Sequence, residues 1–185
     1  MTKVLGISGS LRRGSYNSAL LRAAVPLMPP DAALEIASIR GIPLYDGDVE
    51  AQGIPVQVAQ LKEAVVAADG VLLVTPEYNN SLPGVFKNAI DWLSRPPADA
   101  RRVFAGKPFA VMGASAGNWG TVLSQAAWLP VLRTLGTLPW FGGRVQVARA
   151  GGVFDETGNL KDAAVEEQLK QFLTGFVNFL RRPAG

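Results

Sequence analysis

Cysteine and histidine are both missing from the 185 residues of this chain. Without thiols there is no disulfide framework and no cysteine nucleophile. Without imidazole or thiolate, the usual ligands of zinc, copper and haem are also missing. No apolar run approaches the ~18 residues needed to cross a bilayer, and residues 1–10 lack the layout of a secretory signal. The expectation is a soluble cytoplasmic chain with no membrane partner. An excess of one charge sign is nearly absent, with 18 basic against 15 acidic residues. The arginine pairs Arg12-Arg13, Arg101-Arg102 and Arg181-Arg182 are scattered and form no basic tract interleaved with aromatics, which argues against nucleic acid as a partner.

What is present suits one globular domain over residues 1–185. With 48% hydrophobic residues and 18% charged, the chain has enough apolar material to offset its ordering entropy. A chain of this length buries about two-thirds of its unfolded surface.

Short apolar runs alternate with helical patterns. Residues 4–8 read as a strand running into the Gly/Ser-rich stretch 9–15. Leu21, Ala24, Val25 and Met28 recur at helical spacing, with Asn17 a candidate N-cap and Pro29-Pro30 a stop. Residues 34–39 read as strand two. Val58, Leu61, Val65 and Ala68 form a helical stripe, and Val71-Leu72-Leu73-Val74, which does not alternate, reads as a strand buried on both faces. Pro83 suits a first helical turn, Val85, Phe86, Ala89, Ile90 and Leu93 supply that helix's apolar face, and Pro96-Pro97 ends it. Residues 109–114 form strand four and residues 121–135 a helix with a bend risk at Pro130. Residues 138–147 form a fifth strand broken at Gly142-Gly143, and a closing helix carries Val165, Leu169, Phe172, Phe176 and Leu180. Five strands and five helices in alternation predict an open, doubly wound α/β sheet of parallel strands with helices on both faces. Residues 40–55 read as one long surface loop.

Ligands of doubly wound sheets bind beyond the carboxyl ends of the strands, where strand order reverses. Three loops end there. Gly9-Ser10-Leu11-Arg12-Arg13-Gly14-Ser15-Tyr16-Asn17 offers hydroxyls, backbone amides and a guanidinium at a helix N-terminus, a phosphate cradle. The Gly9 to Gly14 spacing mimics a nucleotide P-loop, but Ser15 stands where that loop needs lysine, so a monophosphate fits better than a triphosphate. A tight strand-to-helix turn bearing a surface arginine is the alternative. In the second loop, Thr75 through Gly84, Pro76 and Pro83 stiffen the backbone around Tyr78 and Asn79, which suits a planar heteroaromatic ring. The third, Gly113-Ala114-Ser115-Ala116-Gly117, leaves small residues where a ring edge can approach the backbone. It also matches the Gly-x-Ser-x-Gly elbow of hydrolases. With no histidine the usual triad cannot form, and Lys107 belongs to the far end of the same strand. Asp46, Asp48 and Glu50 lack the rest of a calcium loop and read as solvated charges, so no metal is assigned.

Three motifs carry a resemblance: Gly9-Ser10-Leu11-Arg12 with Ser15 and Asn17, Ile42-Pro43-Leu44-Tyr45-Asp46, and the string from Pro76-Glu77-Tyr78-Asn79 through Pro83-Gly84 to Lys87-Asn88-Ala89-Ile90-Asp91-Trp92. Across nearly its whole length the chain resembles the NAD(P)H-dependent FMN reductase family, especially the bacterial quinone and chromate reductase branch. The resemblance implies a flavodoxin-like fold with the five-stranded sheet in order 2-1-3-4-5, FMN as cofactor and NADPH or NADH as co-substrate. Ser10, Arg12, Ser15, Asn17 and Ser18 would hold the FMN phosphate, Pro76, Glu77, Tyr78 and Asn79 would contact the isoalloxazine, and Ser115 and Gly117 would border it. It also implies a homodimer or homotetramer with the flavin near the dimer interface, which would involve residues 92–102 and the helix after Gly120. Trp119 and Trp128 fall where the acceptor pocket of relatives varies.

The expected chemistry is a ping-pong exchange. A nicotinamide delivers hydride to the flavin and leaves, and small-molecule acceptors (quinones, azo compounds, free flavin or metal oxyanions such as chromate) then take the electrons. Because the flavin carries the reaction, no catalytic side chain is assigned. The competing expectation is a flavodoxin-type electron carrier without nicotinamide reactivity.

Overall fold

The computed structural model describes residues 1–181, so Arg182 of the third arginine pair lies outside the described residues. A parallel sheet forms the centre. Its main strands are β1 (Thr2–Ser8), β2 (Ala32–Ala37), β3 (Gly70–Val74), β4 (Pro108–Ala114) and β5 (Leu138–Pro139), in order β2-β1-β3-β4-β5. A further two-residue strand, β6 (Gln146–Val147), pairs with the far end of β4. The expected flavodoxin-like order is therefore present, and every strand pairing is parallel.

Helices cover both faces, which is why the central strands do not alternate polar with apolar. On one face α1 (Tyr16–Ala24) and α7 (Ala163–Leu180) pack Leu20, Leu21, Leu169, Phe172 and Phe176 against Val4, Leu72, Val74 and Met112 of the sheet. On the other face lie α3 (Val56–Ala67), α4 (Gly84–Leu93) and α6 (Val122–Thr134). Their Val58, Leu61, Val65, Phe86, Ile90, Trp128 and Leu132 meet Leu5, Ile7, Val71, Leu73 and Phe109. All five residues of β3 are buried.

Several local expectations need correction. Ser15, not Asn17, caps α1: its hydroxyl oxygen accepts from the Ser18 N–H at 3.2 Å, and Asn17 lies inside the first turn. The helix does not run unbroken to Met28 but tightens into a 3₁₀ turn at Val25–Leu27, where Pro26 removes an N–H. Strand two spans Ala32–Ala37, earlier than its apolar pattern suggested, because its partner register starts at Thr2 opposite Ala32. Residues 40–55 are not all loop. They hold a short helix, α2 (Gly47–Ala51), capped by the Asp46 side chain, which accepts from the Asp48 N–H at 2.9 Å. Pro97 does not merely follow a helix end; it opens another helix, α5 (Pro97–Phe104), giving seven α-helices among the described residues instead of five. The fifth strand survives only as β5 and β6, with residues 140–145 looping out between them. Pro130 sits inside α6 without ending it.

Candidate functional site

The loops after β1, β3 and β4 converge at the carboxyl end of the sheet and enclose a cleft of about 230 Å³. The geometry of each loop follows from local sequence. Gly9 lets the chain pass against α4: a Cβ there would lie 2.1 Å from Cδ1 of Phe86, so no other residue fits without moving the helix. From Ser10 to Ser15 the chain makes almost no internal backbone bonds. Among the described residues the N–H groups of Ser10, Leu11, Arg13, Gly14 and Ser15 have no protein acceptor. Free amides, the hydroxyls of Ser10 and Ser15 and the Arg12 guanidinium above the Tyr16 ring (5.8 Å to its centroid) form a donor-rich, acceptor-poor surface at the α1 N-terminus. That donor set fits a phosphate.

The loop after β3 is built as a miniature hairpin. Tyr78 and Ser81 exchange N–H to carbonyl bonds of 3.0 Å in both directions. Asn79 and Asn80 between them have φ of 49° and 60°, the left-handed pair that a type I′ turn requires and asparagine tolerates. The Glu77 carboxylate turns away from the hairpin tip, and its Oε2 accepts from the N–H groups of Leu123 (2.8 Å) and Ser124 (3.0 Å). It thereby caps α6 from another element, since Thr121, the residue at that helix's own N-cap, makes no side-chain capping bond. Beneath, Thr75 Oγ1 and Ser124 Oγ are 2.8 Å apart and the Trp128 indole N–H reaches Thr75 Oγ1 at 3.1 Å.

Asn17 holds the third loop in place. Its amide donates to the Ala114 carbonyl at 2.8 Å and its Oδ1 accepts from the Ala114 N–H at 2.9 Å, both in the interior. The loop after β4 is thus tied to α1, and Ser115 Oγ accepts from the Gly117 N–H at 3.0 Å in a small turn of its own.

Of the residues expected at the site, Ser10, Arg12, Ser15, Asn17, Pro76, Glu77, Tyr78 and Ser115 line this one cleft. Three stand off it. Ser18 lies below the loop, its hydroxyl 2.9 Å from that of Ser8; Asn79 is at the exposed hairpin tip; Gly117 is set back in the Ser115 turn. Tyr16, Ala114 and Ala116 also line the cleft. All three lie in loops expected at the site, though none was given a contact of its own. Trp128 is fully buried against Phe86 (centroids 5.0 Å apart) and cannot wall an acceptor pocket, whereas Trp119 is 81% exposed. Lys107 lies at the opposite end of β4 from Ser115 and donates to the Val66 and Ala68 carbonyls; burial lowers its pKa. Of the three acids between residues 46 and 50, Asp46 is a helix cap, and Glu50 accepts from Arg95 Nε and the Tyr45 hydroxyl, each at 2.8 Å. Those bonds, Arg95's foremost, hold the Glu50 carboxyl below its usual range.

Residues 2–152 match the family described as NADPH-dependent FMN reductase. The chain belongs to that family. An NAD(P)H-dependent FMN reductase of Pseudomonas aeruginosa is 48% identical over 183 residues, 99% of this chain and 97% of the relative. A 2-hydroxy-1,4-benzoquinone reductase of a Burkholderia species is 35% identical over 97% of this chain and 96% of its own. Among solved structures, FerB of Paracoccus denitrificans, a flavoenzyme NAD(P)H:(acceptor) oxidoreductase, superposes with a TM-score of 0.87 at 32% identity, covering 97% of both chains. As an FMN reductase family member the chain is an oxidoreductase with FMN as flavin cofactor and NAD(P)H as electron donor, and the carrier alternative falls with that assignment.

Proposed function

We propose that this FMN reductase works by a ping-pong exchange, taking hydride from NADPH or NADH and passing electrons to small acceptors: quinones, azo compounds, free flavin or metal oxyanions such as chromate. FMN, when bound, supplies the two-electron relay between donor and acceptor. The chain's own residues do the rest. The amides after Ser10, the hydroxyls of Ser10 and Ser15 and the Arg12 guanidinium bind and orient the phosphate. Pro76, Glu77 and Tyr78, held rigid by the Tyr78–Ser81 hairpin and the Glu77 cap, present backbone groups to the ring, and Ser115 borders its edge. Preorganised backbone donors stabilise negative charge without any protein acid or base.

One observation carries this reading: three loops converge on a cleft whose phosphate end offers donors that no protein acceptor takes. The cleft of about 230 Å³ is smaller than the ~300–1,000 Å³ typical of pockets that enclose a drug-sized ligand. That shortfall supports a homodimer, or a homotetramer of two dimers, in which a second subunit covers the ring. The setting is one flavodoxin-like domain over residues 1–185 in the cytoplasm. Among the described residues no helix is long and apolar enough to cross a membrane.

Initial rates against NADPH at several fixed benzoquinone concentrations should give parallel double-reciprocal lines; intersecting lines would sink the two-step exchange. Arg12→Ala should weaken FMN by about 1.5–3 kcal/mol in a fluorescence titration of the apoprotein, the worth of a charge-assisted bond. Unchanged affinity would remove Arg12 from the phosphate site.

A further inference from the structure

On the β2 flank of the loop after β1 lies a second groove of about 340 Å³, lined by four guanidinium groups, those of Arg12, Arg13, Arg22 and Arg40. No carboxylate lines it, and among the described residues none of the four arginines forms an ion pair. Asp155 and Glu156 line the adjoining cleft, which shares three of the arginines. The Asp155 carboxylate is committed to its own turn, where it accepts from Thr157 and Asn159. Glu156 forms no ion pair among the described residues, so a chain of net charge +3 gathers around one groove four positive groups that no carboxylate pairs, one of which, Arg12, is shared with the flavin phosphate. Confined like charges repel, and an anion among them relieves the repulsion.

Position narrows the ligand. Arg40 follows β2 and is pinned to the cofactor loop by its Nη2 bond to the Leu11 carbonyl at 2.6 Å. Ser38 accepts from the Arg40 N–H at 3.1 Å, which leaves its own hydroxyl proton to donate. In the dinucleotide-binding doubly wound order 3-2-1-4-5-6, where the second strand lies beside the first as it does here, the pyrophosphate sits at the first strand-to-helix loop and the adenosine near the end of the second strand. An acidic residue there binds a ribose hydroxyl; an arginine there accommodates a phosphate. This chain has arginine and serine at that place. Ser10 and Arg12 line both the cofactor cleft and the groove, so one phosphorylated ligand can continue from the first into the second.

We propose that this groove is a second phosphate site, one that takes the phosphate-bearing adenosine half of a dinucleotide. The proposal rests on the reading that the flavin phosphate occupies the adjoining cleft. Two molecules carry this chemistry: FAD, whose adenylate extends from the flavin phosphate, and NADPH, whose 2′-phosphate separates it from NADH.

Arg22 lies on α1 outside the phosphate loop, is exposed and forms no ion pair among the described residues, so the variant Arg22→Gln should fold normally. Apoprotein is titrated with FMN and with FAD, and KM for NADPH and for NADH is measured on the FMN-loaded enzyme. If adenylate of FAD is the occupant, Arg22→Gln raises the FAD dissociation constant about tenfold and leaves that for FMN within twofold. If NADPH is the occupant, the variant raises KM for NADPH about tenfold and leaves KM for NADH within twofold. The proposal is overturned if both the FAD to FMN and the NADPH to NADH ratios stay within twofold of wild type. It is equally overturned if FMN affinity falls in step with FAD affinity, because Arg22 would then serve the flavin phosphate alone. Failure of the wild-type apoprotein to bind FMN would instead strike the reading of the cofactor cleft.

Discussion

Asn17 shows how much one side chain can hold. Its amide meets both backbone groups of Ala114 in the interior, joining the phosphate loop's helix to the loop after β4. Asn17→Ala leaves a buried N–H and a buried carbonyl unpaired, so we expect a loss of about 2–4 kcal/mol in urea unfolding, roughly the summed cost of two orphaned groups. By residue type Asn17 was an equally good N-cap, and only the three-dimensional register shows that Ser15 two residues earlier takes that role. Glu77 was also placed at the site for its position in a motif, while its carboxylate spans 46 residues in sequence to cap α6. Glu77→Gln should cost about 0.5–1 kcal/mol of stability in the same assay, since the cap loses its charge but keeps an acceptor oxygen. No local pattern announces a cap delivered from another element. The role of Trp128 stayed open for a related reason, because aromatic character alone does not say whether an indole faces a ligand or the core, and here it faces the core.

Elements with a strong apolar period were legible, and those defined by charge or by proline were not. The Val71–Val74 run and the stripes of α3, α4 and α7 declare themselves, since each buries a continuous face. Helix α5 was hidden behind Pro96-Pro97, which also suits the start of a helix, and much of its anchorage to α3 is ionic: Asp99 accepts from the buried Lys62 (2.9 Å), and Arg102, which also pairs with Asp99 within the helix (2.7 Å), reaches Glu63 (2.8 Å). Lys62 also donates to the Arg95 carbonyl. The bonds from Arg102 first, and then Lys62, hold the Asp99 carboxyl at about 2 in the folded chain, against ~3.9 for an unperturbed aspartate. A depressed folded value means that Asp99 stabilises the fold fully above about pH 4 and loses that contribution as the pH falls toward 2. The stability gap between the wild type and Asp99→Asn in urea should therefore be constant from pH 7 to 5 and narrow between pH 4 and 2; a gap unchanged to pH 2 would contradict the assignment. In α6, Pro130 is exposed and deprives the helix of an internal N–H. Pro130→Ala should raise stability by about 1–3 kcal/mol, read from the same denaturation curves.

For the molecule as a whole, the layered arrangement followed from alternation, because a strand buried on both faces must be sandwiched by helices, whereas the strand order came with the family resemblance. Where the edge of the sheet frays into β5 and β6, that logic weakens, as two-residue strands carry no period. Close approach also left no trace beyond the glycines themselves: a Cβ on Gly113 would stand 2.1 Å from the Thr75 carbonyl oxygen and 2.3 Å from Thr121 Oγ1. Gly113→Val should therefore push β4 away from the β3 loop and leave little soluble protein on expression. Helix α7 adds a matter of timing. It supplies Leu169, Phe172, Leu173, Phe176 and Val177 to the core on the α1 face, while every residue lining the cofactor cleft lies at or before position 116. In order of synthesis the cleft's loops therefore precede the helix that completes the support beneath α1.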